Sequence, residues 1–439
     1  MKKVFIIVSL ILAVSVQGFS QQKLTLQQCL DIAFKNSKDI KISNSKVIGS
    51  NAKVDEVQSQ YFPSLKLTAN YTRLSDVPAF EVHLPFSPTP ITISDVILNN
   101  YTVKLSLQQP LFTGFRLSSL KDAAEYYNRA AIEDVSKTKN EAAFSVYSAY
   151  LNYYKAEQIK ALLQESMKSA EQHITDTRNF MDNGLATKND LLKFEVQESN
   201  IKLSLIEANN NIDLAMRVLN KALGLPLSEN TEVEKIEIVP ETFNEDLSSL
   251  VKEALDNRNE IKSVKFTLDA GKENIRASRS GFFPSVYLSG NYTYANPNQR
   301  YQPPLEQFKG TWDVGITLSW DIWTWGGTSS QVVQAEQNLY QSQTQLDQLK
   351  DNIELEVNQN YLSLKYAKEK LDVTLKAIEQ ADENLRTFKD KYEVQLATST
   401  DIIDAENSLL QAKTNYTNAL IDYKLANVKL EKSVGRKIY

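Results

Sequence analysis

The chain has 439 residues, more than a single compact core usually holds, and a net charge of −5. That charge excludes a nucleic-acid binder whose affinity rests on phosphate contacts. Glycine and proline are scarce, at 13 and 12, so long uninterrupted elements are expected.

Residues 1 to about 20 read as an export signal. Lys2 and Lys3 form the charged start, Val4 to Val16 the apolar run, and Gly18-Phe19-Ser20 the cleavage region. No later stretch is apolar enough to cross a bilayer as a helix. The mature chain is therefore expected to be exported and to use strands for any membrane crossing. Cys29, the one cysteine, cannot form an intrachain disulfide. Leu26-Gln27-Gln28 precede it, unlike a lipid-anchor cysteine, so it is expected to be buried on the first helix. His83 and His173 stand alone without metal-ligand spacing, and a surface or structural role is expected for each. No nucleophile–base arrangement, phosphate loop or metal cluster is legible, so neither enzyme activity nor a cofactor is expected.

The chain repeats. Phe62-Pro63-Ser64 matches Phe283-Pro284-Ser285, and Asn70-Tyr71-Thr72 matches Asn291-Tyr292-Thr293, both with an offset of 221. Leu185-Ala186-Thr187 matches Leu396-Ala397-Thr398, Asp190 matches Asp401, and Gly224 matches Gly435, with an offset of 211. Two tandem copies, 24–224 and 246–435, are expected, joined by a segment 225–245.

The first copy opens with a broken helix from about Thr25 to Gln60, ended by Pro63. A strand over 65–73 alternates Leu65, Leu67, Ala69 and Tyr71 with Lys66, Thr68, Asn70 and Thr72. The loop from Arg73 to Asn100 carries four prolines and is expected to be neither helix nor central strand. A second strand, 101–109, sets Tyr101, Val103, Leu105 and Leu107 against Thr102, Lys104, Ser106 and Gln108, and Pro110 is expected to stop it. Long helices are expected over 116–182 and 188–223.

The second copy repeats this with strands at 286–294 and 312–322 and helices at 328–392 and 399–434. Tyr287 breaks the alternation of the first of these strands. The other alternates Trp312, Val314, Ile316, Leu318, Trp320 and Ile322 with polar or small residues. All four tryptophans of the chain, Trp312, Trp320, Trp323 and Trp325, sit in or just after it, as in an aromatic belt at the ends of a membrane strand.

Some 65 residues without proline or glycine make a rod of about 100 Å. In the second copy the rod places Ile353, Val357, Tyr361, Leu364, Ala367, Leu371, Leu375 and Ile378 at spacings of three or four. The returning helix places Ile402, Ala405, Leu409, Ala412, Tyr416, Ala419, Tyr423, Ala426 and Leu430 in a heptad seam. The matching first-copy seam is Leu191, Phe194, Glu198, Ile201, Leu205, Ala208, Ile212, Ala215 and Leu219, with Glu198 out of character. Gly184 can end its helix in the left-handed conformation, and Thr187, Asn189, Ser399 and Thr400 are candidate caps.

Four strands cannot close a membrane barrel, since single-chain barrels start at about eight, and an open edge in lipid leaves backbone groups unpaired. The barrel must be shared. Two chains would give a filled interior, whereas three give twelve strands and a lumen suited to Thr102, Lys104, Ser106, Gln108, Thr317 and Ser319. The expected fold is mainly α with membrane β, in two tandem repeats whose strands join those of other copies.

The tandem repeat, the two strand pairs, the paired long helices and the Leu-Ala-Thr turns followed by aspartate resemble the TolC-type outer-membrane efflux proteins over nearly the whole mature chain. The resemblance implies a homotrimer set in outer-membrane lipid and reaching into the periplasm, in which the two tandem repeats of each chain form one third of a trimeric twelve-stranded β-barrel continued by a long α-helical barrel. It implies work with an inner-membrane pump and a periplasmic adaptor that meets the helix turns Gly184, Leu185, Ala186 and Thr187 and Leu396, Ala397 and Thr398. It places 225–245 in an equatorial region. It also implies a periplasmic entrance ringed by Asp401 and Asp404, which lie three apart on one helix face. Such a ring favours cations and raises carboxylate pKa values by mutual repulsion. Without the resemblance, Asp401 reads as a helix N-terminal charge and Asp404 as a solvated one. Tyr392 and Asp190 match members of the gate network, but Ala397 stands where an arginine is expected.

The function implied is a passive exit duct of a tripartite efflux or type I secretion system, with cargo unspecified. A periplasmic coiled-coil adaptor and a structural rod of the cell envelope are the rival readings; neither needs two pairs of membrane-length strands.

Overall fold

The computed structural model of the protein describes residues 23–83, 85–86, 88–94, 96–239 and 245–439; the expected export signal lies outside them. In chain order the elements are α1 (Leu26–Asn36), α2 (Lys38–Ser59), β1 (Ser64–Arg73), β2 (Phe80–Val82), β3 (Ile91–Ser94), β4 (Asn99–Phe112), α3 (Arg116–Asp182), α4 (Lys188–Leu223), α5 (Leu247–Asn257), α6 (Asn259–Arg279), β5 (Ser285–Asn296), β6 (Lys309–Ser319), α7 (Gly327–Glu393) and α8 (Ser399–Val434). They form two compact units. One comprises the residues up to Ser43, Val135–Asn259 and Lys350–Tyr439, and the other Asn44–Asp134 and Glu260–Leu349.

The second unit carries an antiparallel sheet in the order β1-β4-β5-β6. Its pleat separates the side chains by face. Leu67, Leu105, Tyr292 and Trp312 stand opposite one another across all four strands, and so do Thr68, Lys104, Thr293 and Thr311. One face is therefore apolar and the other polar. Among the described residues no helix is long and apolar enough to cross a membrane.

Two strand expectations need correction. Pro110 does not stop β4, which runs to Phe112 with a register irregularity between Pro110 and Phe112 opposite β5. A bulge absorbs the missing N–H. β6 spans Lys309–Ser319, not 312–322, because Ser319 meets Ser285, the first residue of β5, and among the described residues no strand flanks Trp320 to Ile322. At its other end Lys309, Gly310 and Thr311 join the ladder without apolar side chains to announce them. The loop after β1 contains a small antiparallel hairpin, β2–β3. The strand interrupted by Tyr287 is the long interior strand β5, held by ladders on both sides.

In the first unit the helices pack along their heptad seams. Ile402, Ala405, Leu409, Ala412, Ala419, Tyr423 and Leu430 of α8 are buried, as are Ile353, Val357, Leu364, Ala367 and Leu371 of α7. Leu375 departs from expectation and is 46% exposed; a 3.6-residue turn drifts off a strict repeat. In α4 the anomaly at Glu198 resolves because Gln197 turns inward instead and donates from Nε2 to Asn407 Oδ1 at 2.7 Å.

A core joins α1, α3 and α4 through Cys29, Leu30, Ala33, Val146, Tyr150, Leu219 and Leu223. Each large aliphatic side chain there contributes about 1.5–3 kcal/mol by leaving water. Val233, within 225–245, packs on this core and bridges in parallel to Leu24. The buried Tyr150 hydroxyl donates to Glu234 O at 2.8 Å, which satisfies a polar atom inside an apolar cluster. Gly224 ends α4 at φ 70°, where a Cβ would lie 2.8 Å from Asn36 Cβ. Its bare backbone lets the end of α4 approach α1.

Candidate functional site

The two helix turns are built alike. Gly184 (φ 69°) and Gln395 (φ 59°) take the left-handed conformation. Leu185 N then donates to Phe180 O, and Leu396 N to Lys391 O, both at 2.8 Å. Each returning helix starts on a reciprocal capping box. Asp190 N donates to Thr187 Oγ1 at 3.3 Å and Thr187 N to Asp190 Oδ2 at 3.1 Å. Thr398 and Asp401 repeat the arrangement at 3.3 and 2.7 Å. The caps are thus Thr187 and Thr398; Asn189, Ser399 and Thr400 lie inside the helices.

The first helix pair is tied to the second at this end. Ser399 Oγ donates to Asp190 Oδ1 at 2.7 Å, and Lys193 Nζ to Thr400 Oγ1 at 2.9 Å. Ile174, Phe194 and Ile402 form a buried cluster joined by Leu191, Phe388 and Tyr392. Phe194 meets Tyr392 edge-on and stacks on the His173 ring with centroids 5.1 Å apart.

His173 is not alone, contrary to its reading in the sequence. Its Nε2 lies 2.9 Å from Glu406 Oε1, which also accepts from Ser169 Oγ. Burial pushes the Glu406 carboxyl up, but the bonds from His173 and Ser169 hold it below its ordinary value. The partners stand 233 residues apart, and no local pattern links them.

Asp190 and Tyr392 line one open groove of about 630 Å³, together with Phe180, Leu185, Ala186 and Ala397. Asp190 directs its carboxylate to Thr187 and Ser399, and those bonds, Thr187 first, hold it below the usual carboxylate range. Leu185 and Leu396 are 57% and 78% exposed, and Gly184 sits at the apex of its turn. Asp401 is likewise lowered, first by its bond from Thr398; within one chain its carboxyl titrates low rather than high. Asp404 is exposed one turn along α8.

The sheet has aromatic groups at both ends of its apolar face. Tyr71 and Tyr101 pair at 4.9 Å, and Tyr294 stacks on Phe308 at 5.2 Å, with Trp312 nearby in the ladder. Past the other end, Trp323 and Trp325 pack edge-on and Trp320 Nε1 donates to Phe282 O at 3.2 Å. Between them Val314, Ile316 and Leu318 are each more than 60% exposed, an apolar band that water does not favour.

The outer membrane efflux protein family model matches residues 29–225 and again 250–436. The chain belongs to that family. It is an outer-membrane channel protein, of a family of channels rather than enzymes. It is 22% identical to the outer membrane efflux protein BepC of Brucella suis biovar 1 over 419 residues, 94% of this chain and 85% of that one. It is 22% identical to the outer membrane protein TolC of Escherichia coli over 447 residues, 97% of this chain and 85% of that one. Its fold is that of VceC, an outer membrane protein of Vibrio cholerae, with a TM-score of 0.75 at 17% identity over 94% of this chain and 97% of the other. An adaptor or a structural rod would not give a family match over both repeats.

Proposed function

We propose that three copies of this outer-membrane efflux protein form a passive exit duct, four strands each, for an efflux or type I secretion system driven by an inner-membrane pump. The observation that carries this is the open sheet: among the described residues β1 and β6 each have one edge without a partner strand, beside exposed apolar rows. Lipid does not tolerate such an edge, and closure by copies of the same chain removes it. Exposed Leu192, Val196, Leu203, Ile206, Leu214 and Val218 on α4 supply a further apolar stripe for a neighbouring copy.

In this duct Trp312, Trp320, Trp323 and Trp325 sit at the membrane interfaces. The turns Gly184–Thr187 and Leu396–Thr398 meet the periplasmic adaptor. Asp190 holds the two turns together through Ser399, with Tyr392 packed behind, in place of a link from an arginine at Ala397. Asp401 and Asp404 face the entrance, where their repetition in three copies favours cations. The repeats 24–224 and 246–435, with 225–245 as equatorial segment, supply matched strand pairs and helix pairs.

The mass of the purified protein in detergent and its conductance in a planar bilayer test this reading. A trimer that conducts is expected. A stable monomer with no conductance overturns it.

A further inference from the structure

The internal repeat states how the two open sheet edges meet. Ser64 pairs with Gln108 in the first hairpin and Ser285 with Ser319 in the second. β1 therefore maps onto β5 with an offset of 221 and β4 onto β6 with an offset of 211. The mapping holds along both hairpins, since Asn70–Thr102 carries over to Asn291–Asp313. Within the chain the two copies join where β4 meets β5, with Leu105 opposite Tyr292, Leu107 opposite Gly290 and Pro110 opposite Tyr287. The same junction carried forward by one copy joins β6 to β1 of the next chain.

The geometry points to a β6–β1 seam between copies with one register: Ile316 opposite the partner's Tyr71, Leu318 opposite the partner's Ala69, and Asp321 opposite the partner's Lys66. This rests on the shared-barrel reading above and gives it residue pairs. Two features that did not enter the mapping agree with it. First, the faces match: Thr317 and Ser319 meet the partner's Asn70 and the partner's Thr68, while Trp320 meets the partner's Leu67. A slip of one residue would set apolar against polar along the whole seam. Second, Asp321 and the partner's Lys66 bring opposite charges face to face, a favourable cross-strand pair. A slip of two residues keeps the faces but puts Lys66 opposite Ser319 or Trp323.

The seam also accounts for two asymmetries. Leu65, Leu67, Val314 and Ile316 at the edges are 66–69% exposed, whereas Val103, Leu105 and Leu107, flanked on both sides, are 37–39% exposed. β4 continues past Gln108 to Phe112 along β5, but β6 stops at the equivalent Ser319. With the partner's β1 in place, Trp320 to Trp323 gain the ladder that Gln109 to Phe112 already have.

Paired cysteines test the register. Oxidation of a Thr317→Cys, Asn70→Cys variant should link chains into dimers and trimers on a denaturing gel. Thr317→Cys with Thr68→Cys or with Thr72→Cys should not, because a diagonal neighbour lies about 7–8 Å away, beyond disulfide reach. Cys29 stays in place, as it has no exposed surface. In parallel, Lys66→Asp should lower the temperature at which trimers dissociate, and adding Asp321→Lys should restore it. Linkage through Thr68 or Thr72 instead, or trimers by mass with no linkage at Asn70, overturns the register and leaves the shared barrel standing. Monomers by mass with no linkage in any variant overturn both.

Discussion

His173 Nε2 and Glu406 Oε1 stand 2.9 Å apart, on side chains 14% and 13% exposed, and join α3 to α8. Lys389 Nζ of α7 lies 4.0 Å from the same oxygen, so three helices converge on one carboxylate. A buried charge keeps its ionised form only while such partners remain.

Glu406→Gln at pH 7 should cost about 1–3 kcal/mol, because it leaves the His173 and Ser169 donors with a weaker acceptor. The Glu406 carboxyl is depressed in the folded chain, so its contribution is complete above the ordinary glutamate value of 4.5 and fades as pH falls through the lower folded value. Thermal unfolding of the native chain and the variant should therefore differ at pH 7 and converge well below pH 4.5. An equal gap at pH 7 and pH 3 would show that the ionised carboxylate is not what stabilises this contact.

Asp190 serves two partners, Thr187 within its own helix and Ser399 on the other helix pair. The single changes Thr187→Ala and Ser399→Ala separate these roles. Loss of the cap should cost about 1 kcal/mol of stability with conductance unchanged. Loss of the Ser399 bond should raise open-channel conductance with little change in melting temperature. Equal conductance in both variants would remove Asp190 from the gate.

Asp401 is partly committed to Thr398, whereas Asp404 is exposed. Asp401→Ala with Asp404→Ala should weaken block by trivalent cations in bilayer recordings. Asp404→Asn alone should retain an intact helix cap, visible as native melting behaviour, and still weaken the block. Unchanged block in the double variant would take both residues away from the entrance.

Gly224 and Gly184 share a left-handed backbone but not a neighbourhood. A Cβ at Gly224 meets Asn36 at 2.8 Å, whereas one at Gly184 meets nothing within 4 Å. Gly184→Ala should cost about 1 kcal/mol from the backbone alone, and Gly224→Ala clearly more. Chemical denaturation of the two variants measures the difference. Equal losses would mean that α1 shifts freely to make room.

Period reveals the elements better than it reveals their partners. The rods are legible because Arg116 to Asp182 contains no helix breaker and the α8 seam keeps its three-four spacing down to Leu430. The β6 boundaries are not, because Trp320 and Ile322 continue an alternation whose ladder has already ended, while Lys309 and Gly310 are placed by Ala295 and Tyr294 across from them and by the Asn298 amide that donates to Lys309 O. Pro110 reads as a stop when its own strand is considered and as a bulge once β5 lies alongside. At the helix turns Thr187 is legible as a cap, whereas Thr398 closes its box with Asp401 one position before Ser399 and Thr400, the hydroxyls that the sequence offers as caps. Ser399 to Asp190 and His173 to Glu406 bridge more than 200 residues, and the single chain offers no local signal for either.

The paired helices have equal lengths, 67 residues for α3 and α7 and 36 for α4 and α8. Each copy thus acts as a ruler for the other, and the Ser399–Asp190 contact is where the two measures are compared. Four residues added to one long helix would slide its turn by about 6 Å against its neighbour, too far for that hydrogen bond to survive. Changes in reach must therefore come as matched pairs, while the loops between strands are free to vary one at a time.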